Sequence, residues 1–332
     1  MTRAVGPRLG LLVALLALVV IASLMVGAVP VSPARVLAAV FGRGDDATAL
    51  LIRNVRLPRV LLAALVGAAL SISGVLLQAF FQNPMAGPYT VGVSAGSGLL
   101  AVAAIVFGLH FAVGPFDTTA LAAFAGGLGA VGLVYAIARR LHSLRSEGLL
   151  LVGIAVGAVL SAFTSLLLVM SKDKAPTALF WMLGSLSSAR WSAVQMVASV
   201  LLVSSFFVVR MARDLNLLLW GEDVASSLGS PVHSVRRWVL VHSSLLAAAS
   251  VAVSGAIAYV GLMVPHLARG YLRSSDHRGV LLASAIIGAG LVLLADLIGR
   301  TVAAPIELPV GAVTSIFGAP FLIYLVMRRG RG

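Results

Sequence analysis

Residues that could ligate a metal or act as a general base are few in this sequence. The six histidines stand at positions 110, 142, 233, 242, 266 and 277, and no two of them have the i, i+4 spacing of a helical zinc site. The absence of cysteine excludes disulfides and thiolate metal sites. No GxxxxGKS or GxxxxGKT motif occurs, so the chain does not bind ATP through a P-loop. We therefore predict no catalytic residue, no metal site and no cofactor bound by this chain.

Charged residues are instead concentrated in residues 210–237, RMARDLNLLLWGEDVASSLGSPVHSVRR. Apolar runs at 191–209 and 238–253 flank this segment. A charge at the centre of a bilayer costs about 2.5–3.5 kcal/mol on insertion scales, so the segment must connect two membrane spans through water.

A short amphipathic helix is predicted inside that segment. Its apolar residues recur at helical spacing and are Val224, Ala225, Leu228 and Val232. Gly229 followed by Pro231 is the usual order of residues at a helix end. An apolar helix face among arginines favours a docking surface for a cytoplasmic protein; the alternative is a solvated loop with one helical turn.

The elements that position this segment are membrane helices. The 332 residues are 60% hydrophobic and 11% charged, whereas a soluble domain is about 45–50% apolar and about 25% charged. At about 20 residues a span, the length fits an all-α polytopic membrane protein with about ten transmembrane helices. The predicted spans are 9–29, 58–81, 91–109, 118–138, 148–170, 191–210, 238–253, 255–272, 279–299 and 309–328.

Loop charges predict the orientation. Basic loops normally mark the cytoplasmic side, and the basic loops here are 139–145, 210–237 and 273–278. The net charge of +13 lies in such short loops, so it does not indicate a nucleic-acid partner. Counting spans from these loops puts both termini in the cytoplasm and residues 30–59 outside, although five arginines in that outer loop break the rule.

Acidic residues near the predicted outer span ends have structural interpretations. Asp296 and Arg300 are four residues apart on one helix face and can form an ion pair. Glu307 precedes the last helix, where a carboxylate interacts favourably with the helix dipole, so we interpret it as a cap rather than a substrate ligand.

Several motifs together resemble one family over essentially the whole chain. They read RLPR, QAFFQNPMAGP, GEDVASSLGSPV, GAIAYVGLMVPHLAR and ELPVG. This set resembles the FecCD-type permeases of ABC importers for iron-siderophores, haem and vitamin B12. The resemblance implies a type II ABC importer permease fold, in which 1–332 form a single transmembrane permease domain with a coupling segment at about 214–235.

The resemblance also implies roles for particular residues. It assigns ATPase coupling to Glu222, Asp223, Val224, Ala225, Leu228 and Gly229. It assigns docking of a binding protein to Arg56, Arg59 and Arg300, for which anchoring at lipid headgroups is the alternative. It assigns the cytoplasmic gate to Asn83, Met85 and Ser146.

By the same resemblance, the partners are a second copy forming a homodimeric pore, two ATP-binding cassette ATPase subunits that hold ATP and Mg, and a periplasmic or lipid-anchored substrate-binding protein. The chain would be no enzyme itself, and would lie in the inner (cytoplasmic) membrane of a prokaryote. It would move an iron-siderophore by alternating access, with cobalamin as second choice and haem as third.

Two other classes of function are disfavoured by the residues. A secondary transporter would need ionisable groups inside the membrane, but the first seven spans have no Asp, Glu or Lys at their centres. A membrane-embedded enzyme would need a catalytic set at membrane depth, and no such set of His, Ser and carboxylate residues is visible.

Overall fold

The computed structural model of the chain describes residues 5–27, 29–43, 47–111, 116–141 and 146–329, and within these ranges it is helical without a β-strand. A π-helical turn (Ile52–Arg56) and a 3-10 turn (Pro88–Val91) accompany the α-helices. In chain order these are α1 (Val5–Met25), α2 (Pro33–Val40), α3 (Ala47–Leu51), α4 (Leu57–Phe81), α5 (Val93–Val106), α6 (Thr118–Arg140), α7 (Ser146–Met170), α8 (Ala175–Met182), α9 (Trp191–Arg210), α10 (Ala212–Leu218), α11 (Glu222–Ser227), α12 (Val232–Ser254), α13 (Val260–Leu272), α14 (His277–Thr301) and α15 (Val310–Arg329).

Eight helical segments in the described part of the chain are long and apolar enough to cross a membrane: α1, α3–α4 as one continuous segment, α6, α7, α9, α12, α14 and α15. They coincide with eight of the ten predicted spans. The polytopic all-α class is thereby confirmed.

The other two predicted spans, 91–109 and 255–272, are helical only in part. α5 has 14 residues and α13 has 13, which at 1.5 Å per residue gives about 20 Å, short of the ~30 Å hydrocarbon core. Positive φ angles precede both helices, at Gly92 (83°), Gly255 (65°) and Tyr259 (67°). These left-handed residues interrupt the helix, and hydropathy alone does not reveal them because the interrupted segments are still apolar.

The interruptions before α5 and α13 meet inside the bundle. The Tyr89 hydroxyl donates to the carbonyl of Ile257 at 2.7 Å and accepts from the amide of the same residue at 3.0 Å. One side chain thus satisfies both backbone groups of a non-helical residue, which hydrocarbon could not do.

Helix α4 lies at the centre of the bundle and is surrounded by α9, α12, α13 and α14. In its most apolar 18-residue stretch, 83% of the residues are buried. Glycines allow the closest approaches. A Cβ at Gly67 would clash with the carbonyl of Gly288 on α14, and one at Gly74 would clash with the carbonyl of Gly261 on α13. Small residues are the usual means of bringing helix backbones together where no hydrophobic force drives packing.

Contacts between helix ends define two opposite faces. At one face the Arg8 guanidinium donates to the carbonyl of Leu272 at 2.8 Å, so α1 begins where α13 ends. At the other face the Arg300 guanidinium donates to the carbonyl of Ser23 at 2.6 Å, so α1 ends where α14 ends. This alternation fits the predicted order of spans, while the cytoplasmic location of the first face stays a prediction.

We expect Gly74→Ala to destabilise the protein, because the added methyl group has to displace the backbone of α13. Overpacking of this kind costs about 1–3 kcal/mol, which outweighs the gain of up to about 1 kcal/mol from helix propensity. Thermal unfolding in detergent measures the difference. Gly270→Ala is the matched control on α13, since a Cβ there meets nothing within 4 Å; an equal or higher unfolding temperature for Gly74→Ala would contradict the close-packing argument.

Candidate functional site

The predicted site residues lie in three places: an ionic cluster at the predicted outer face, which we call the outer ionic cluster; the segment of α10 and α11, which we call the coupling surface; and the loop after α4. The outer ionic cluster lies where α1 and α14 end and α4 begins. Its members are Arg56, Arg59, Asp296, Arg300 and Glu307.

Arg59 is the centre of the outer ionic cluster. Its Nε donates to the two carboxylate oxygens of Asp296 at 3.0 and 3.2 Å. Its two Nη atoms donate to the two carboxylate oxygens of Glu307, each at 3.0 Å. Because the second pair is bidentate, it fixes both position and orientation. A single guanidinium therefore joins α4, α14 and the loop before α15.

Arg56 holds the end of α1. Its Nη1 donates to the carbonyls of Leu24 at 2.8 Å and Met25 at 3.2 Å, and its Nη2 donates to the carbonyl of Val29. The last carbonyls of a helix have no partner within the helix, and a cation is favoured beside them by the helix dipole. Arg56 therefore closes the C-terminus of α1.

Arg300 is held by the same helix end and by its own helix. Besides its bond to Ser23, its Nε lies 3.6 Å from a carboxylate oxygen of Asp296. The predicted ion pair of Asp296 and Arg300 is thus present, although at this distance it is an ionic contact rather than a hydrogen bond. Asp296, only 1% exposed, is closer to Arg59 than to Arg300.

The structure separates the three arginines that the sequence assigns to docking. Arg56 and Arg300 are buried and committed to backbone carbonyls. Arg59 reaches the surface, where its outward partner Glu307 is 44% exposed. The carboxylate of Glu307, which the sequence favoured as a helix cap, bonds to the guanidinium of Arg59, a partner that the sequence interpretation did not include.

The predicted amphipathic helix is present as α11, which ends one turn before Pro231. Its apolar residues do not share one face: Val224 and Leu228 are exposed, whereas Ala225 is completely buried against its own chain. The expectation that Ala225 belongs to the docking face is therefore corrected. Its carbonyl accepts from the amide of Ser230, which folds the end of the segment back over the methyl group.

Trp220 extends the exposed apolar surface beside α11, and sequence reasoning did not single it out. Its side chain is 77% exposed and precedes α11 by two residues, and in the same segment Val224 is 44% and Leu228 56% exposed. Exposed apolar residues that lie close together mark interaction sites. A tryptophan in an otherwise polar connection was the available signal. We call Trp220, Val224 and Leu228 the coupling patch.

The remaining predicted coupling residues surround the coupling patch. Glu222 forms an ion pair with Arg236 at the start of α12, and Asp223 is exposed. Gly229 has a φ of 82°, which suits the residue after a helix end.

Polar side chains fasten the coupling surface to the membrane helices. The Gln82 side chain donates to the carbonyl of Leu218 at 3.0 Å. Asn216 donates to a carboxylate oxygen of Asp276 at 2.9 Å and accepts from the amide of His277 at 2.8 Å. The hydrogen bond from Asn216 is the main cause that lowers the pKa of Asp276. A displacement of α10 would therefore act on the end of α4 and the start of α14.

Two of the three predicted gate residues lie in the loop after α4. The Asn83 side chain accepts from the amide of Met85 at 2.9 Å, and its carbonyl accepts from the amide of Ala86 at 3.0 Å. These bonds form a tight turn at the inner end of α4 that leaves Met85 half-buried. Ser146, the third predicted gate residue, begins α7, and the loop residues 142–145 before it lie outside the described part of the chain.

A groove of about 400 Å³ runs between α5 and α7 and is also lined by Tyr89 and Thr90 of the 3-10 turn before α5. We call it the central groove. None of its lining residues is charged. Hydroxyl groups line it, from Tyr89, Thr90, Ser94, Ser161, Thr164 and Ser165. The hydroxyls of Tyr89, Thr90, Thr164 and Ser165 donate to backbone carbonyls of the chain, so the groove has a polar lining without a fixed charge.

Comparison with known proteins gives one family. A sequence model of the FecCD transport family matches residues 15–328. The cobalamin import system permease protein of Halobacterium salinarum is 42% identical over 279 residues, covering 84% of this chain and 74% of that protein. The iron(3+)-hydroxamate import system permease protein of Bacillus subtilis is 36% identical over 337 residues, covering 98% and 99%.

A solved structure is similar over nearly the same length. It is described as an inward-facing conformation of a metal-chelate type ABC transporter. The TM-score is 0.84 at 32% sequence identity, and the match covers 96% of this chain and 98% of the other. The similarity therefore extends over almost the whole fold.

We expect Asp296→Asn to lower the thermal stability of the subunit strongly. The change leaves the cations of Arg59 and Arg300 without their buried carboxylate, and breaking a buried ion pair from one side costs about 3–5 kcal/mol. Glu307→Gln is the control, because loss of an exposed ion pair costs about 0–1 kcal/mol. Unfolding temperatures in detergent compare the two variants. Equal small shifts would show that Asp296 does not hold the cluster together.

Proposed function

The chain belongs to the FecCD transport family, and we propose that it is the transmembrane permease subunit of an ATP-driven importer for metal chelates. The family comprises multi-pass membrane permeases of ABC importers in the prokaryotic inner membrane. The predicted type II permease fold is confirmed by the similar solved structure. The match over residues 15–328, almost the whole chain, is the observation that carries the assignment.

An iron-siderophore is the substrate we assign first. Two relatives that are similar over 98% of this chain are named for import of iron(3+) chelates, one a hydroxamate and one citrate. The central groove suits such a chelate, because its lining is polar without being charged and a chelate of low net charge needs no counter-charge there. Cobalamin is the second candidate, since another relative is named for its import, and haem is the third.

The coupling patch is the proposed seat for the ATPase subunit. Trp220, Val224 and Leu228 present apolar surface on a segment that must face water. ATP and Mg would be held by that partner. Movement of the seated α11 would pass through α10 and the bond between Leu218 and Gln82 to the loop with Asn83 and Met85. This route links hydrolysis to alternating access at the gate.

Two copies of the chain would enclose the substrate path. The central groove is open along α7. In the most apolar 18-residue stretch of α7, only 11% of the residues are buried within the single chain. A second copy related by a two-fold axis would cover this side with the same surface, as closed symmetric dimers do. Homodimerisation would thus convert two grooves into one enclosed path.

The outer ionic cluster is the proposed dock for the substrate-binding protein. An acidic side chain of that protein would take the place of Glu307 on the two Nη atoms of Arg59. Asp296 would keep the guanidinium oriented through Nε during this exchange. Arg56 and Arg300, which are buried beneath Arg59, would support docking by their positive charge and by holding the helix ends in place.

We expect the subunit, reconstituted in proteoliposomes with a cognate ATPase and binding protein, to take up labelled ferric hydroxamate only when ATP is supplied. Val224→Asp and Leu228→Asp should abolish co-purification of the ATPase, because each buries an uncompensated charge in the interface. Val302→Asp is the control: it adds the same charge at an exposed site on the opposite face.

Normal co-purification in the Val224 and Leu228 variants would place the ATPase elsewhere on the chain. Uptake driven by an ion gradient without ATP would favour a secondary transporter. Cyanocobalamin and haemin in the same assay distinguish the three candidate substrates.

We expect Arg59→Gln to weaken binding of the substrate-binding protein and Glu307→Gln to strengthen it, since the second change removes the internal competitor for Arg59. Both effects should shrink as salt rises, because exposed charges are screened within about 10 Å at 0.1 M. Biolayer interferometry on the reconstituted subunit measures the affinities, with the exposed Arg35→Gln as control. If Arg59→Gln bound the substrate-binding protein with unchanged affinity, the outer ionic cluster would serve only to hold helices of this chain together.

A further inference from the structure

A second groove of about 400 Å³ lies between α6 and α12, on a part of the surface that the proposed function does not use. We call it the inner groove. One end is lined by Leu128 of α6 and Leu245 of α12, and the other by Tyr135 and Arg237. At 1.5 Å per residue these pairs are about 12 Å apart along the helices.

The walls of the inner groove are hydrocarbon. Apart from Tyr135 at the charged end, the lining hydroxyl is that of Ser244, which donates to the carbonyl of Leu240 at 2.7 Å and is therefore satisfied within α12. Gly132 opens the wall on the α6 side, since a Cβ there would meet nothing within 4 Å. A flexible alkyl chain fits such a surface, whereas a polar solute would find no partner along it.

Charge is found only at one end of the inner groove. Arg237 is exposed there, and its one described contact is with the ring of Trp238, 5.8 Å from the centroid. No carboxylate within the described residues forms an ion pair with it, whereas the neighbouring Arg236 is paired with Glu222. Arg139 and Arg140, at the end of α6, likewise form no ion pair among the described residues and add to the positive potential.

The charged end lies at headgroup depth. α6 ends at Arg140 and α12 begins at Val232, directly after the coupling surface. Tyr135 is beside Arg237, and a tyrosine with an apolar ring and polar hydroxyl is typical of the membrane–water interface. The inner groove thus runs from the interface on the coupling side toward the middle of the hydrocarbon layer.

We propose that the inner groove binds an anionic phospholipid from the leaflet on the coupling side, with one acyl chain between α6 and α12 and its phosphate on Arg237. The anion supplies the counter-charge that the described chain lacks, and basic pockets between membrane helices on this side commonly hold such headgroups. The proposal requires only that the chain spans a membrane, so it stands apart from the transport assignment.

Lipid retention tests this proposal. The intact subunit is reconstituted in nanodiscs with equal phosphatidylglycerol and phosphatidylcholine, then extracted gently, and its retained lipids are counted by native mass spectrometry. We expect phosphatidylglycerol to be retained about fivefold over phosphatidylcholine, the preference expected from one basic residue at an anionic headgroup. Arg237→Gln should remove this preference, and Gly132→Leu should displace the lipid by filling the groove.

Matched controls exist on the same helices and the same face. Gly129→Leu places the same side chain on α6, also in open space, but outside the inner groove. Arg210→Gln removes one exposed charge at the end of α9. Both controls should retain phosphatidylglycerol like the unaltered subunit.

Three results would overturn the proposal. Undiminished retention of phosphatidylglycerol by the Arg237→Gln variant would show that Arg237 does not bind the lipid. Equal retention of both lipids by the unaltered subunit would show that the headgroup is not selected. Disulfide formation between two Gly132→Cys chains would show that a second copy of the chain covers the groove instead.

Discussion

The requirement that every buried backbone polar group finds a partner shapes this molecule more than any other constraint. In hydrocarbon no water compensates a carbonyl or amide left without a bond. At two places where helical bonding stops, a side chain distant in sequence supplies the missing partner. Tyr89 bonds both backbone groups of Ile257, and Arg56 bonds the last carbonyls of α1. The bundle can therefore contain two short helices and still leave these groups satisfied.

Helix α4 connects the surfaces to which the proposed partners bind. Arg59 near its start belongs to the outer ionic cluster, and Gln82 just after its end bonds to the coupling surface. Gln78, one turn earlier, accepts from Arg269 of α13 at 2.6 Å. The helix thus has polar contacts at both ends and apolar or backbone contacts between them. This distribution makes α4 the direct physical connection between the two faces.

Features that depend on local sequence were predictable, and those that depend on backbone partners were not. Hydropathy located the long spans and spacing located α11, because both patterns are local. The i, i+4 spacing also predicted the pair of Asp296 and Arg300. By contrast, the acceptors of Arg56 are carbonyl groups, which every residue carries, so no side-chain type indicates them. The burial of Ala225 was not predictable for a related reason. Periodicity identifies the apolar residues of a helix but does not tell which of them pack against the rest of the chain.

The glycine contacts of α4 have a mechanical consequence. Gly67 and Gly74 press its backbone against α14 and α13 near the middle of its length. Neither contact has a side chain that could change rotamer and absorb a displacement. Because these contacts lie near its middle, α4 can tilt about them more easily than it can move along its axis. A tilt about these contacts would move the two ends of α4 in opposite directions, so that a displacement of Gln82 at one face would displace Arg59 at the other.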